Sequence, residues 1–118
     1  MDDESRNNYR YPEIGRIVAP TICAINGILD NISMRGCKIH FPCVFTMDLD
    51  KEHEINVHLS RSSKDLPLRL LCKPIWIEHG PTDTYIGMQY LYSPDEARLR
   101  DFIDFLDNVS VEDLPDIV

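Results

Sequence analysis

Residues 84–106, TYIGMQYLYSPDEARLRDFIDFL, contain the one abrupt change of pattern in this sequence. The first part is rich in aromatic and β-branched residues and puts Ile86, Met88 and Tyr90 on one face, which is typical of a half-buried strand. After Ser93 the apolar residues recur at helical spacing and form one stripe, made of Leu99, Phe102, Ile103 and Leu106. The segment therefore predicts a strand followed directly by an amphipathic helix.

The start of this helix carries a signal of its own. Ser93 stands at the N-cap, Pro94 at the first helical position and Glu96 three residues after the cap, which is the pattern of a capping box. The helical periodicity is lost at Asn108. We therefore expect residues 108–118 to form a short acidic tail.

Upstream of this segment the sequence predicts about five more short strands. An apolar run over residues 16–25 is interrupted by Pro20, which suits an edge position or a bulge. Asn26-Gly27 predicts a tight hairpin turn after it. The remaining strand-like runs are residues 28–33, 37–41, 55–59 and 66–77, the last with a bulge expected at Pro74. Short antiparallel strands at this spacing predict a mainly β domain, either a small barrel or a sandwich.

The length of 118 residues fits one domain. We expect a flexible N-terminal arm over residues 1–12, because this segment has no apolar periodicity, and one folded domain over residues 13–107. No stretch approaches the roughly 20 apolar residues of a membrane-spanning helix, and the polar N-terminus does not resemble a secretory signal. The four cysteines lack the spacing of a metal site and indicate reduced thiols, so we expect a cytoplasmic protein.

The charge pattern argues against some functions. A net charge of −8 disfavours a general DNA- or RNA-binding protein, which needs an excess of cationic side chains. Residues 1–40 nevertheless balance five basic against five acidic residues, so a small anion would be tolerated best there. The histidines lack metal-ligand spacing and no nucleophile is patterned with a base, so the sequence predicts no metal, no cofactor and no enzyme activity.

Two arginines four residues apart, Arg6 and Arg10, stand out in the arm. Core packing does not explain them, because the segment around them is polar. Guanidinium groups bind phosphate oxygens and the O6/N7 edge of guanine, and they stack on bases. Alternatively, the pair is incidental charge on a solvated arm.

A second cluster, residues 31–36 (NISMRG), lies between two strand-like runs. Asn31 and Ser33 are two residues apart, so they would point to the same side of an extended chain, where both can hydrogen-bond a purine edge or a phosphate. Gly36 permits a tight turn or the close approach of a ligand. Alternatively, the cluster is an ordinary polar turn between strands.

In order and spacing, the two clusters resemble the paired motif of the PilZ domain family, Arg-x-x-x-Arg followed by [Asp/Asn]-x-Ser-x-x-Gly. Arg10-Tyr11-Pro12 resembles the family's entry into its first strand, Trp76 lies in a late strand, and residues 85–90 resemble the closing strand before the C-terminal helix. The resemblance covers about residues 6–106. One departure is Arg35, where many members have a second glycine; it would either add a contact to a ligand phosphate or crowd the site.

The resemblance implies a six-stranded antiparallel β-barrel that binds cyclic di-GMP on its surface, with the N-terminal arm folding over the ligand. By position, Arg6 and Arg10 would clasp guanine and phosphate groups. Asn31 and Ser33 would hydrogen-bond a guanine, and Gly36 would shape the loop beneath it.

We therefore expect a bacterial cyclic di-GMP receptor that signals through a separate effector protein, either as a monomer or as a ligand-bridged dimer. Ordering of residues 1–12 by the ligand would be the switch. The alternative is a protein–protein adaptor on the same fold that binds no nucleotide.

Overall fold

The computed structural model describes residues 11–59 and 66–112. Arg6 and Arg10 lie outside the described residues. Six strands and one helix follow one another along the chain: β1 Tyr11–Val18, β2 Gly27–Ile32, β3 Gly36–Phe41, β4 His53–Leu59, β5 Leu68–His79, β6 Thr84–Tyr92 and α1 Glu96–Glu112.

The strands form a closed barrel in the order β1-β2-β3-β6-β5-β4, and all neighbouring strands are antiparallel. β1 closes the barrel because it pairs with β2 on one side and with β4 on the other. The predicted six-stranded antiparallel barrel is thus confirmed, and the sandwich alternative is wrong.

Alternating side chains of the strands fill the barrel. In β4, for example, Ile55 and Val57 are fully buried while Glu54 is exposed, which is the period-2 pattern of a strand with one face in a core. The core contributed by the other strands is apolar in the same way; its largest fully buried side chains include Ile17, Leu29, Ile39, Phe41, Leu70, Ile86 and Met88.

The chain around Pro20 differs from the prediction. β1 ends at Val18, and the chain turns there, with the carbonyl oxygen of Ala19 accepting hydrogen bonds from the N–H groups of Ile22 and Cys23 at 2.9 and 3.0 Å. The expectation of a strand over residues 16–25 was wrong beyond Val18, because proline has no N–H to continue the ladder. Residues 19–26 form a longer connection, so Asn26-Gly27 is not a two-residue hairpin turn.

β1 also begins earlier than expected. Tyr11 and Pro12, which the sequence placed in the arm, pair with Ile32 and Asn31 of β2. Tyr11 is 3% exposed, and its hydroxyl donates a 2.8 Å hydrogen bond to Asp107 of α1. The buried ring and its hydrogen-bonded hydroxyl hold Tyr11 in the barrel, whereas the polar residues around it give no apolar period from which a strand could be predicted.

The bulge predicted at Pro74 is confirmed. The register of β5 against β6 shifts between Pro74 and Trp76, and a second shift occurs between Leu71 and Cys72. Extra residues at these points increase the local twist of the strand, which helps a short sheet to close into a barrel.

The apolar stripe of α1 is confirmed, because Leu99, Phe102, Ile103 and Leu106 are all buried. The N-cap is confirmed only in part. The Ser93 hydroxyl oxygen accepts a hydrogen bond from the Asp95 N–H at 2.9 Å, whereas the Glu96 carboxylate lies 3.4 Å from the Arg100 guanidinium instead of reaching back to the cap.

The helix also runs further than the periodicity indicated. It continues to Glu112, five residues into the segment predicted as a tail from Asn108. No proline or glycine interrupts residues 108–112, so the backbone can remain helical after the buried stripe has ended.

A carboxylate joins the start of α1 to β5. Asp95 accepts hydrogen bonds from the backbone N–H of Arg69 at 2.9 Å and from its guanidinium at 3.0 and 3.2 Å. The Ser93 hydroxyl donates a further hydrogen bond to the Arg69 carbonyl oxygen at 2.6 Å. These contacts hold the helix against the barrel at its first turn.

Candidate functional site

The turn between β2 and β3 is built around the side chain of Ser33. Its hydroxyl donates to the Gly36 carbonyl oxygen at 3.1 Å and accepts from the N–H groups of Arg35 and Gly36, both at 3.2 Å. The Ser33 N–H donates to the same Gly36 carbonyl at 2.9 Å, and the residue is 2% exposed. The polar-turn alternative therefore describes Ser33 well: its hydroxyl is directed into the turn.

Gly36 is required by the approach of two strands. It lies opposite Gln89 of β6, and a Cβ at this position would overlap the carbonyl oxygen of Met88. The Arg35 carbonyl next to it accepts a 2.9 Å hydrogen bond from the Tyr90 N–H. No described residue has a positive φ, so close packing and not a left-handed backbone selects glycine here.

Arg35 and Asn31 stand at either end of this turn with different surroundings. Arg35 is exposed and forms no salt bridge with the described part of the chain. Asn31 is half-buried and pairs with Pro12 of β1 and Lys38 of β3. The structure thus brings Asn31, Ser33, Arg35 and Gly36 to one end of the β2–β3 hairpin.

Next to this end of the hairpin, paired residues of neighbouring strands form a row across the outside of the barrel. Asn31 lies opposite Lys38, Lys38 opposite Gly87, and Gly87 opposite Trp76. The indole of Trp76 lies on Gly87, where a Cβ would overlap the ring. The Lys38 ammonium is 6.0 Å from the Trp76 ring centroid and 5.3 Å from that of Tyr85. An amide, a cation and a flat aromatic surface therefore lie side by side.

Sequence reasoning missed Lys38 and Tyr85 as parts of this surface. The alternation in residues 37–41 already indicated that Lys38 faces away from the core. What it could not supply was the pairing of β3 with β6, which places that lysine next to the two aromatic rings.

His40 borders the same face. Its Nδ1 lies 2.8 and 2.9 Å from the two carboxylate oxygens of Asp30, and its Nε2 lies 3.7 Å from Asp83. The ring also packs on Tyr85, with 5.0 Å between centroids. These contacts tie β2, β3 and the turn before β6 together, so His40 has a structural role here.

The described residues contain no group of three or more His, Cys, Asp or Glu side chains that could hold a metal ion. Within the same ranges, no helix is long and apolar enough to cross a membrane.

The fold is a small antiparallel β-barrel that carries polar and aromatic side chains side by side on its outer surface. The family model of the PilZ domain matches residues 4–107, which include both arginines of the arm and the whole of residues 31–36. The chain belongs to the PilZ domain family, a family of cyclic di-GMP receptor and adaptor domains. No curated protein and no solved structure matches the chain significantly.

Proposed function

We propose that this protein is a cyclic di-GMP receptor that acts on a separate effector protein. The observation that supports this best is the pairing of Tyr11 with Ile32 and of Pro12 with Asn31. Arg10 is attached directly to Tyr11, and consecutive Cα atoms are about 3.8 Å apart. The chain that carries the Arg-x-x-x-Arg motif therefore enters the barrel beside the hairpin that carries the second motif.

The proposed recognition uses two kinds of group. Guanidinium groups of Arg6 and Arg10, with Arg35 across the turn, would bind phosphate oxygens and guanine O6/N7 edges. The Asn31 amide would hydrogen-bond a guanine edge, because it offers both a donor and an acceptor. Lys38 and the ring of Trp76 provide a cation and an apolar face next to it, which suit a phosphate and a purine respectively.

Ser33 and Gly36 would act through the shape of the turn. The Ser33 hydroxyl holds the turn closed from inside, and Gly36 allows β3 to approach β6. Together they would fix where Asn31 and Arg35 stand, and the Ser33 hydroxyl could still add a contact to guanine if the ligand opened one of its bonds.

The signal would pass from the site to an effector through the beginning of β1. Two arginines bound to a dinucleotide would hold the preceding segment against the barrel and change the surface that a partner meets. Tyr11, hydrogen-bonded to Asp107, connects this point to the helix. The receptor would work in the cytoplasm as a monomer or as a dimer bridged by ligand.

One observation favours the second candidate, an adaptor without nucleotide. The Ser33 hydroxyl, which was expected to bind guanine, already forms hydrogen bonds within the turn. This part of the motif therefore stabilises the fold without any ligand. Such a protein would use the same barrel only to bind other proteins.

Titration calorimetry with cyclic di-GMP distinguishes the two. We expect saturable binding with a dissociation constant in the micromolar range or tighter, corresponding to about −8 kcal/mol or more favourable. Cyclic di-AMP is the matched control, since it keeps both phosphates and changes only the base edges. A flat titration at about hundred-micromolar protein would favour the adaptor.

A further inference from the structure

Two of the four cysteines face each other across different connections of the barrel. The Sγ atoms of Cys23 and Cys43 are 3.5 Å apart. Cys23 belongs to the connection between β1 and β2, and Cys43 to the connection between β3 and β4. Neither residue lies in a strand, so modest side-chain rotation and loop adjustment can bring the sulfur atoms to bonding distance, about 2.05 Å.

The other two cysteines differ from this pair in their burial. Cys37 and Cys72 are fully buried in the core. Burial raises the pKa of the Cys72 thiol, which keeps it protonated and unreactive. Cys23 and Cys43 are both partly exposed, so a small oxidant can reach them.

The two thiols also interact with each other. The hydrogen bond to Cys23 is the main reason why the pKa of the Cys43 thiol is raised, with burial second. Either sulfur can be the donor in this contact, so either thiol can be the first to react.

We propose that Cys23 and Cys43 form a reversible disulfide when the protein meets hydrogen peroxide. The thiolate of one of the two attacks one peroxide oxygen, the O–O bond breaks, and the released hydroxide takes up the proton that this thiol had lost, which gives a sulfenic acid and one water. The sulfur of the other cysteine then attacks the sulfur of the sulfenic acid, the S–O bond breaks, and the hydroxyl group leaves with the second thiol proton as a second water. The two sulfur atoms together lose two electrons, which reduce the peroxide, and a thiol reductant reverses the change.

This bond would join two loops that are already anchored to different strands. Thr21 is 2.9 Å from His53 of β4. In the other connection, the Cys43 carbonyl accepts a 2.8 Å hydrogen bond from Thr84 of β6, and the Phe45 N–H donates to the same hydroxyl at 3.1 Å. The disulfide would therefore lock one end of the barrel, opposite the end that holds Asn31 and Ser33. Its formation does not depend on the proposed nucleotide binding.

Peptide mapping under non-reducing conditions tests whether the Cys23–Cys43 disulfide forms. The folded protein is treated with a small excess of hydrogen peroxide, its remaining thiols are blocked, and it is digested with trypsin. Arginine and lysine positions place Cys23 in peptide 17–35, Cys37 in 36–38 and Cys43 in 39–51. We expect peptide 17–35 linked to 39–51, with a loss of about 2 Da for the two hydrogens and recovery by dithiothreitol. Cys37 and Cys72 should stay reduced and label only after denaturation.

The oxidised protein should also melt at least about 5 °C higher than the reduced protein, because the bond restricts the unfolded chain. Cys23→Ser and Cys43→Ser are the matched controls, and neither should show this increase. Disulfides between molecules, a link to Cys37 or Cys72, or over-oxidation of Cys23 with no link to Cys43 would each overturn the proposal. An unchanged melting temperature after the link has formed would overturn the locking role.

Discussion

At the scale of single residues, the second motif, residues 31–36, contains side chains in two different settings. Arg35 is exposed, whereas Ser33 is buried in a network of hydrogen bonds within four residues. Substitutions in the two motifs should therefore have different consequences, and stability and affinity must be measured separately.

Arg10→Ala should weaken binding of cyclic di-GMP by about 1–3 kcal/mol, since it removes a charged hydrogen-bond donor from the proposed site. It should leave the melting temperature nearly unchanged. Calorimetry and thermal unfolding measure the two effects. Arg100→Ala, which removes an exposed arginine from α1, is the control and should bind like the parent protein. If Arg10→Ala unfolds the protein while affinity is retained, the arginine is structural.

Ser33→Ala should lower the free energy of unfolding by about 1–3 kcal/mol, because the N–H groups of Arg35 and Gly36 would lose their acceptor. The hydroxyl to which the family resemblance assigned a guanine contact is buried, so it contributes to the fold itself. Denaturant unfolding measures the change. The matched control is Thr46→Ala, which removes the hydroxyl of an exposed residue in the β3–β4 connection. Equal stability of the two variants would mean that the turn does not need its hydroxyl.

At the scale of elements, β6 is the strand that organises both the core and the site. It pairs with β3 and β5. Its inward residues fill the barrel, and Gly87 on its outward face leaves room for the indole of Trp76. The Asp95 carboxylate joins the first turn of α1 to β5. The packing of α1 on the barrel therefore depends on the charge of Asp95.

Ile86→Ala should destabilise the fold by about 2–5 kcal/mol, because Ile86 is fully buried and its removal leaves a cavity. The control is Ile28→Ala in β2, where the side chain is 40% exposed. That variant should change the free energy of unfolding far less. Urea denaturation of both proteins measures the difference, and a smaller loss for Ile86→Ala than for Ile28→Ala would contradict the assigned faces.

The contact between Asp95 and Arg69 should make stability depend on pH. Hydrogen bonds from Arg69 hold the pKa of the Asp95 carboxyl below its usual value of 3.8. A carboxyl with a lowered pKa in the folded state stabilises above its unfolded pKa, and that contribution is lost as pH falls through the lower, folded value. Unfolding measured from pH 6 down to about 2 should show this loss. The Asp95→Asn variant should lack the share of this acid-induced loss of stability that comes from the Asp95–Arg69 contact. If the variant and the parent protein lost stability in the same way as pH falls, the prediction would be wrong.

At the scale of the whole molecule, the closed barrel separates two ends with different chemistry. One end carries the β2–β3 turn beside the start of β1, and the other carries the facing thiols of Cys23 and Cys43. Because the ladder hydrogen bonds of the closed barrel are already formed, the proposed signal would appear in the segment before Tyr11 and not in the sheet.

Hydrogen exchange tests this. Cyclic di-GMP should slow amide exchange in residues 2–10 relative to the ligand-free protein, because two bound arginines would fix the residues between them. Peptides from residues 84–92 serve as the internal control, since the ladder hydrogen bonds of β6 are already formed. Equal exchange in residues 2–10 with and without ligand would mean that the signal leaves through another surface.

The sequence by itself determined the elements whose pattern is local. The alternation of β6, the buried stripe of α1 and the bulge at Pro74 all follow from the spacing of apolar residues and from the missing N–H of proline. Local patterns failed at Pro20, where they could not tell a bulge from a turn. The family resemblance likewise depended on short motifs that can be recognised without coordinates, and the match over residues 4–107 confirms it.

Only the tertiary structure decided what lies next to what. Pairing of β3 with β6 brings Lys38 to Trp76, the approach of Met88 explains Gly36, and folding of two connections brings Cys23 to Cys43. The partners in each case are separated by roughly 20 to 50 positions along the chain. Their proximity depends on strand order and register, which are set by how all six strands bury their apolar faces together.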